Sequence, residues 1–178
     1  MRVINFLAEK YYKIAYDTFF YIEDNQKAQK YLSRALEIEP WHKKALRLKG
    51  NMLIIQDKIA QALEVWQKLY ELGEDDFEVT SKIAYCCAQK GDYEKAFDFC
   101  EKSAMQVELV ESEKMYSLYC LKIDLLLDTK KPKSAYKLFK NALKMLASNE
   151  AYELKNSYSF LDFYKGSVTK LKNVKSAF

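Results

Sequence analysis

Hydrophobic positions along this chain recur with a helical period, and the helical pattern itself recurs at a longer one. Ala28, Ala62 and Ala96 stand 34 residues apart. In the same register Leu32, Trp66 and Cys100 follow four residues later, and Ala35, Leu69 and Ser103 three beyond those. Steps of three and four mark one face of an α-helix. Twelve residues upstream of each alanine stand Tyr16, Gly50 and Ala84, followed by Phe19, Leu53 and Cys87, so a first helix precedes each second one. Polar triplets fall where a tight turn would join the two: Glu23-Asp24-Asn25, Gln56-Asp57-Lys58 and Gly91-Asp92-Tyr93. The pattern predicts two antiparallel helices per period, with small residues at their crossing and large ones filling the space to the next pair.

Pro40 closes the first unit after a helix from Ala28 to Glu39, because proline lacks the donor needed to continue it. A fourth unit needs a shift. Ala135, Phe139 and Ala142 repeat the second-helix face, but Ala135 lies 39 residues after Ala96, which places a five-residue insertion around Val107 to Ser112. The first helix of that unit, about Glu111 to Asp128, carries Ile123 where a small residue is usual, so its pair is expected to pack more widely. Pro132 falls at the start of the partner helix, where proline is tolerated. Residues 149–164 read as one more amphipathic helix, with Leu154, Tyr158 and Leu161 inward, expected to cap the array. Residues 165–178 are either a basic tail or the start of a further helix carrying Val168, Leu171 and Val174.

The third unit, Ile83-Ala84 followed by Gly91-Asp92-Tyr93-Glu94-Lys95-Ala96, resembles the tetratricopeptide-repeat (TPR) consensus. The resemblance implies an all-α fold: a right-handed α-solenoid of about four helix-turn-helix TPR repeats with a C-terminal capping helix. Its array would span 1–164, with units about 9–42, 43–76, 77–110 and 116–149, a cap about 149–164 and a basic tail 165–178. It is specific for fold and far less so for function, since many activities share this scaffold.

In TPR proteins the first helices line a concave groove. The resemblance places Lys13, Asp17 and Tyr21 there from the first unit, Lys44, Arg47, Asn51 and Ile54 from the second, Lys82 and Tyr85 from the third, and Asp124 from the fourth. Such a groove is basic in its N-terminal half and acidic at its C-terminal end. It implies a protein or peptide partner whose acidic or C-terminal carboxylate end pairs with Lys13, Lys44, Arg47 and Lys82. Apolar side chains of that partner would settle near Tyr21, Ile54 and Tyr85, and Asn51 would grip a backbone amide. The five-residue carboxylate clamp of chaperone-binding TPR proteins is matched only in part. Arg47 and Asn51 fit its first pair, but Lys82, Ser117 and Leu121 replace what should follow.

Composition narrows the remaining classes. With 4 Gly and 2 Pro in 178 residues, the chain has too few turn formers for a many-stranded β protein. No apolar run approaches a membrane span and no cleavable leader is evident, so a soluble, cytoplasmic, non-exported protein is expected. The four cysteines, Cys86, Cys87, Cys100 and Cys120, sit in helical patterns and read as reduced, buried thiols. The formal charge of +4 is accounted for by Lys165, Lys170, Lys172 and Lys175. A near-neutral body speaks against nucleic-acid binding.

His42, the single histidine, stands in a turn with no nucleophile motif near it, and the glycines form no phosphate loop. Neighbouring Cys86 and Cys87 point about 100° apart on a helix, unlike a structural zinc pair. The acids Asp75-Asp76 and Glu108, Glu111 and Glu113 read as solvated helix starts. The expectation is therefore a non-enzymatic protein–protein interaction scaffold without cofactor or metal. A chaperone for exported subunits, similar to the TPR chaperones of type III secretion, is the alternative.

Overall fold

In the structure, a computed structural model that describes residues 2–106 and 112–146, all secondary structure is α-helical. Among the described residues there are eight helices: α1 (Arg2–Phe20), α2 (Asn25–Ile38), α3 (Lys43–Ile55), α4 (Ile59–Glu71), α5 (Phe77–Gln89), α6 (Tyr93–Ala104), α7 (Ser112–Asp128) and α8 (Pro132–Leu146). The chain divides into two compact units, Met1–Asp75 and Asp76–Phe178. The expected capping helix and tail, and residues 107–111 of the expected insertion, lie outside the described residues.

In the first unit α1 packs on α2, α2 on α3, and α3 on α4. Its core joins Ala15 of α1, Ala28, Leu32 and Ala35 of α2, and Ala45, Leu48 and Met52 of α3. Small residues bring the helix axes close enough for ridges to enter grooves. A close approach is made at Gly50 of α3, where a Cβ would stand 2.5 Å from Cε2 of the fully buried Trp66 on α4. Between α2 and α3 the packing is less complete. Gln29, Leu32 and Lys49 stand where the next period has Leu63, Trp66 and Ile83, and a cavity of about 320 Å³ lies beside them.

The turns repeat in conformation as well as in sequence. Glu23, Asp57, Gly91 and Lys130 have φ of 59°, 57°, 77° and 57°, the left-handed region in which a helix commonly stops. Their spacings are 34, 34 and 39 residues, so the five-residue displacement read from the sequence is present in the backbone. After α3, α5 and α7 the same bond closes the helix: Lys58 N–H to Leu53, Asp92 N–H to Cys87 and Lys131 N–H to Leu126, each five residues back. Aspartates cap the helices that follow or begin units, with Asp24, Asp76 and Asp92 accepting from Lys27, Val79 and Lys95 N–H.

The first turn differs, and this corrects the alignment of α1. There Asp24 N–H reaches back six residues to Thr18. One extra residue precedes the left-handed Glu23, so α1 is displaced by one relative to α3 and α5. Ala15 and Thr18 are buried where Gly50 and Leu53, and Ala84 and Cys87, are buried in the next two first helices. Tyr16, aligned with Gly50 by the 34-residue spacing, is exposed, because a tyrosine cannot enter a crossing that accepts only a small residue.

In the second unit α5 packs on α6, α6 on α7, and α7 on α8. Ala84, Ala96, Cys86, Cys87 and Cys100 are buried, as are Ile123 and Ala135. Two buried hydroxyls are satisfied across the α5–α6 interface: Ser103 Oγ lies 2.9 Å from Thr80 Oγ1 and 2.8 Å from the Phe99 carbonyl. All four cysteines are free, three buried and Cys120 half-buried.

Candidate functional site

The surface shared by α1 and α3 in the first unit gathers most of the chemistry. Its basic residues come from the start of α3, where Lys43, Lys44 and Arg47 crowd a helix N-terminus, an end that favours negative charge. Two carboxylates from outside the helix resolve the conflict. Glu9 of α1 accepts from Lys44 Nζ at 3.2 Å, and Glu74, beyond α4, accepts from Lys43 Nζ at 2.7 Å and from the Arg47 guanidinium. Burial raises the Glu9 carboxyl pKa, but Lys44 and His42 outweigh it and hold the group below its ordinary value. Lys43 and Arg47 likewise depress Glu74.

His42 is bound into the same cluster as the cap of α3. Its Nδ1 accepts the Ala45 N–H at 3.2 Å, so the proton sits on Nε2, which donates to Glu9 at 3.0 Å. Both ring nitrogens are thereby used, and neither is left to act as a general base. Burial also pushes the Cys86 thiol up to about 11 and Cys100 to about 12, far from a thiolate at neutral pH. Among the described residues no group of three or more His, Cys, Asp or Glu could hold a metal ion. None of the described helices is long and apolar enough to cross a membrane.

The one-residue displacement of α1 changes which of its residues face α3. Counting 35 back from Lys44, Arg47, Asn51 and Ile55 reaches Glu9, Tyr12, Tyr16 and Phe20. Contacts agree with this register: Glu9 pairs with Lys44, and the Tyr12 ring lies 5.4 Å from the His42 ring and 6.0 Å from Lys44 Nζ. Tyr12, Tyr16 and Phe20 form a ladder along α1, with ring centroids 6.0 and 4.5 Å apart, and Phe19 meets Phe20 edge-on at 4.9 Å. Tyr16 and Phe20 are 37% and 48% exposed.

The residues named from the sequence therefore separate. Lys44 and Arg47 are brought into the cluster, with Asn51 and Ile54 half-buried further along α3 and Asn51 already engaged in an interaction. Lys13, Asp17 and Tyr21 are exposed, one residue or about 100° round α1 from the ladder. In the second unit Lys82 and Tyr85 are half-buried on α5, and Asp124 is half-buried on α7 and already engaged.

Four functional candidates escaped the sequence reading: Glu9, Glu74, Tyr12 and Tyr16. A signal existed for the acids. Glu9 stands one period before Lys43, and Glu74 one period after Pro40, so each is an acid at a unit boundary facing the bases of α3. The ladder was hidden by the extra residue in the first turn.

No family model matches the chain, and no curated protein does. Solved structures do. A Pseudomonas aeruginosa pilF structure superposes with a TM-score of 0.63 at 15% identity, covering 94% of this chain and 78% of that one. YrrB, described as a TPR protein with an unusual peptide-binding site, superposes with a TM-score of 0.60 at 14% identity, covering 93% and 90%. At such identities the likeness speaks for the fold. The chain has an all-α, helical-repeat fold like that of these structures, one of them a TPR protein.

Proposed function

We propose that the chain is a binding scaffold, and that its first unit holds a segment of another polypeptide on the surface shared by α1 and α3. The observation that carries this reading is the exposed aromatic ladder beside a cluster of three cations and two carboxylates. A surface of this make-up offers apolar contact, hydroxyl donors and one uncompensated positive charge, which suit a peptide with apolar residues followed by an acid. Lys44, Arg47, Asn51 and Ile54 line the α3 side, with Lys13, Asp17 and Tyr21 on the outer rim of α1. On the second unit Lys82, Tyr85 and Asp124 offer a separate polar surface of the same kind.

Binding without turnover fits the chemistry of the described residues. The single histidine is consumed as a helix cap, and the buried thiols are protonated. The experiment is affinity capture with the wild type and two double variants, Lys44→Glu with Arg47→Glu and Tyr16→Ala with Phe20→Ala, each checked by circular dichroism. Partner recovery should fall at least tenfold in both. Undiminished recovery by either folded pair would remove its side of the surface from the site.

A further inference from the structure

On α2 the residues Gln29, Ser33 and Leu36 line the cavity shared with α3. At about 100° per residue Lys27, Lys30, Tyr31 and Arg34 fall on the other side of that helix, at the steps of three and four that mark one face. Leu7, Lys10, Tyr11 and Ile14 repeat this spacing on α1. The two faces join, because Tyr11 stacks on Tyr31 with ring centroids 6.2 Å apart and the Arg34 guanidinium lies 5.8 Å from the Tyr11 centroid. The edge so formed has a half-buried strip of Tyr11, Ile14 and Tyr31, with Leu7 41% exposed at its end. Exposed cations flank the strip, Lys10 from α1 and Lys27, Lys30 and Arg34 from α2.

None of these four cations pairs with a carboxylate among the described residues. Glu9 is committed to Lys44 and His42, Asp24 caps α2 through the Lys27 N–H, and neither Asp17 nor Glu37 forms an ion pair with them. A face that is merely solvated mixes its signs. The residues 34 and 68 positions after Lys27, Lys30 and Arg34 do so, as Gln61, Glu64 and Lys68 on α4 and Lys95, Asp98 and Lys102 on α6. On α2 all three are positive. The edge does not suit an apolar helix either. Ala45 and Leu48 seat α3 in the core it shares with α2, and the residues 35 positions before them on α1 are Lys10 and Lys13.

We propose, independently of the α1–α3 surface, that this edge docks an acidic amphipathic helix of another protein. Its apolar stripe lies along Tyr11, Ile14 and Tyr31. Its carboxylates, three and four residues apart, meet Lys27, Lys30 and Arg34, which span about 10 Å of α2. Tyr11 is engaged by Tyr31 and Arg34 rather than offered to a nucleobase, so the charge complement is an acidic polypeptide and not a nucleic acid.

The test uses the full chain and a fluorescein-labelled helical peptide of about five turns, with leucine along one face and glutamate on both flanks, followed by fluorescence anisotropy. Saturable binding is expected, weaker by about tenfold for the same residues in scrambled order and absent when lysine replaces glutamate. Lys27→Gln with Lys30→Gln and Arg34→Gln, at exposed positions where glutamine keeps the helix, should weaken it by about tenfold. Lys58→Gln with Lys90→Gln and Lys131→Gln removes the same charge from turns outside both surfaces and should leave it within about twofold of wild type. Circular dichroism checks the fold of each variant. Absence of saturable binding, binding that survives the first triple variant, or equal loss in the two triple variants overturns the proposal. So does tighter binding of single-stranded oligouridylate or of phosphatidylserine vesicles than of the acidic peptide.

Discussion

Gly50 provides the sharpest quantitative test of the packing. Glycine inside a helix is ordinarily unfavourable by about 1 kcal/mol relative to alanine, so Gly50→Ala in α3 should stabilise if only local propensity mattered. The added Cβ, however, would stand 2.5, 2.6 and 2.9 Å from Cε2, Nε1 and Cζ2 of Trp66. Ordinary carbon contacts begin near 3.5 Å, so the indole or the helix must move by about 1 Å. Trp66 is fully buried, so the indole cannot swing out without leaving the core. Overpacking of this kind costs about 1–3 kcal/mol, which leaves a net destabilisation of about 0–2 kcal/mol after the propensity gain. For a chain of this length that lowers the thermal midpoint by up to roughly 8 °C. The assay is thermal and urea unfolding followed at 222 nm. A Trp66→Phe background is the control, because it removes the clashing atoms. It sacrifices no hydrogen bond among the described residues, where Trp66 Nε1 has no partner. There Gly50→Ala should be neutral or stabilising. A raised midpoint for Gly50→Ala in the wild-type background would refute the claim that Trp66 sets the size of residue 50.

Three further outcomes follow from the geometry. Lys130 holds a left-handed conformation at a cost of about 1–2 kcal/mol for an L-residue, so Lys130→Gly should raise stability by roughly 0.5–1 kcal/mol. Gly91→Ala, where a Cβ would meet nothing within 4 Å, should lower it by a similar amount through the backbone alone; chemical denaturation measures both. Glu9 and Glu74 titrate below their ordinary 4.5 when folded, so their stabilisation is present above about pH 4.5 and is lost as the pH falls through the depressed values. Midpoints measured from pH 6 to 3 should drop, and drop less steeply in a Glu9→Gln, Glu74→Gln variant. Ellman's reagent on the native protein at pH 8 should titrate no more than one thiol, that of half-buried Cys120, and all four after denaturation; rapid reaction of two or more would contradict the burial of Cys86, Cys87 and Cys100.

What was legible in the chain is what depends on periodic burial. Ala28, Ala62, Ala96 and Ala135 are each fully buried, and the displacement of the fourth unit reappears in the spacing of the left-handed turns. Ser103 was legible as a core position and is one, though its hydroxyl needed Thr80 to be tolerable there. The site was less legible because it depends on phase. One extra residue before Glu23 leaves the turn in register while rotating α1 by about 100°, enough to exchange Lys13 and Asp17 for Tyr12 and Tyr16 on the side of α3. Ion pairing was legible only as two acids placed at unit boundaries; that the fold sets Glu9 3.2 Å from Lys44, 35 residues away, needed the structure.

That pairing decides how an acidic ligand could use the basic residues of α3. A ligand carboxylate gains nothing from a cation already neutralised unless it can take the place of the internal acid. The two cations differ in this. Lys44 is 63% exposed and its bond to Glu9 is a surface pair, worth about 0–1 kcal/mol, so exchanging one carboxylate for another there is nearly free. Arg47 is 18% exposed and shares Glu74 with Lys43, so displacing Glu74 would take the same carboxylate from two cations at once. On the binding reading, an acidic residue of the partner would meet Lys44, while Arg47 would keep Glu74 at the start of α3. The place of Lys44 against the Tyr12 ring also sets the acid next to the aromatic ladder rather than remote from it. On the binding reading, the partner's acid and its apolar residues would then lie close together in one short segment.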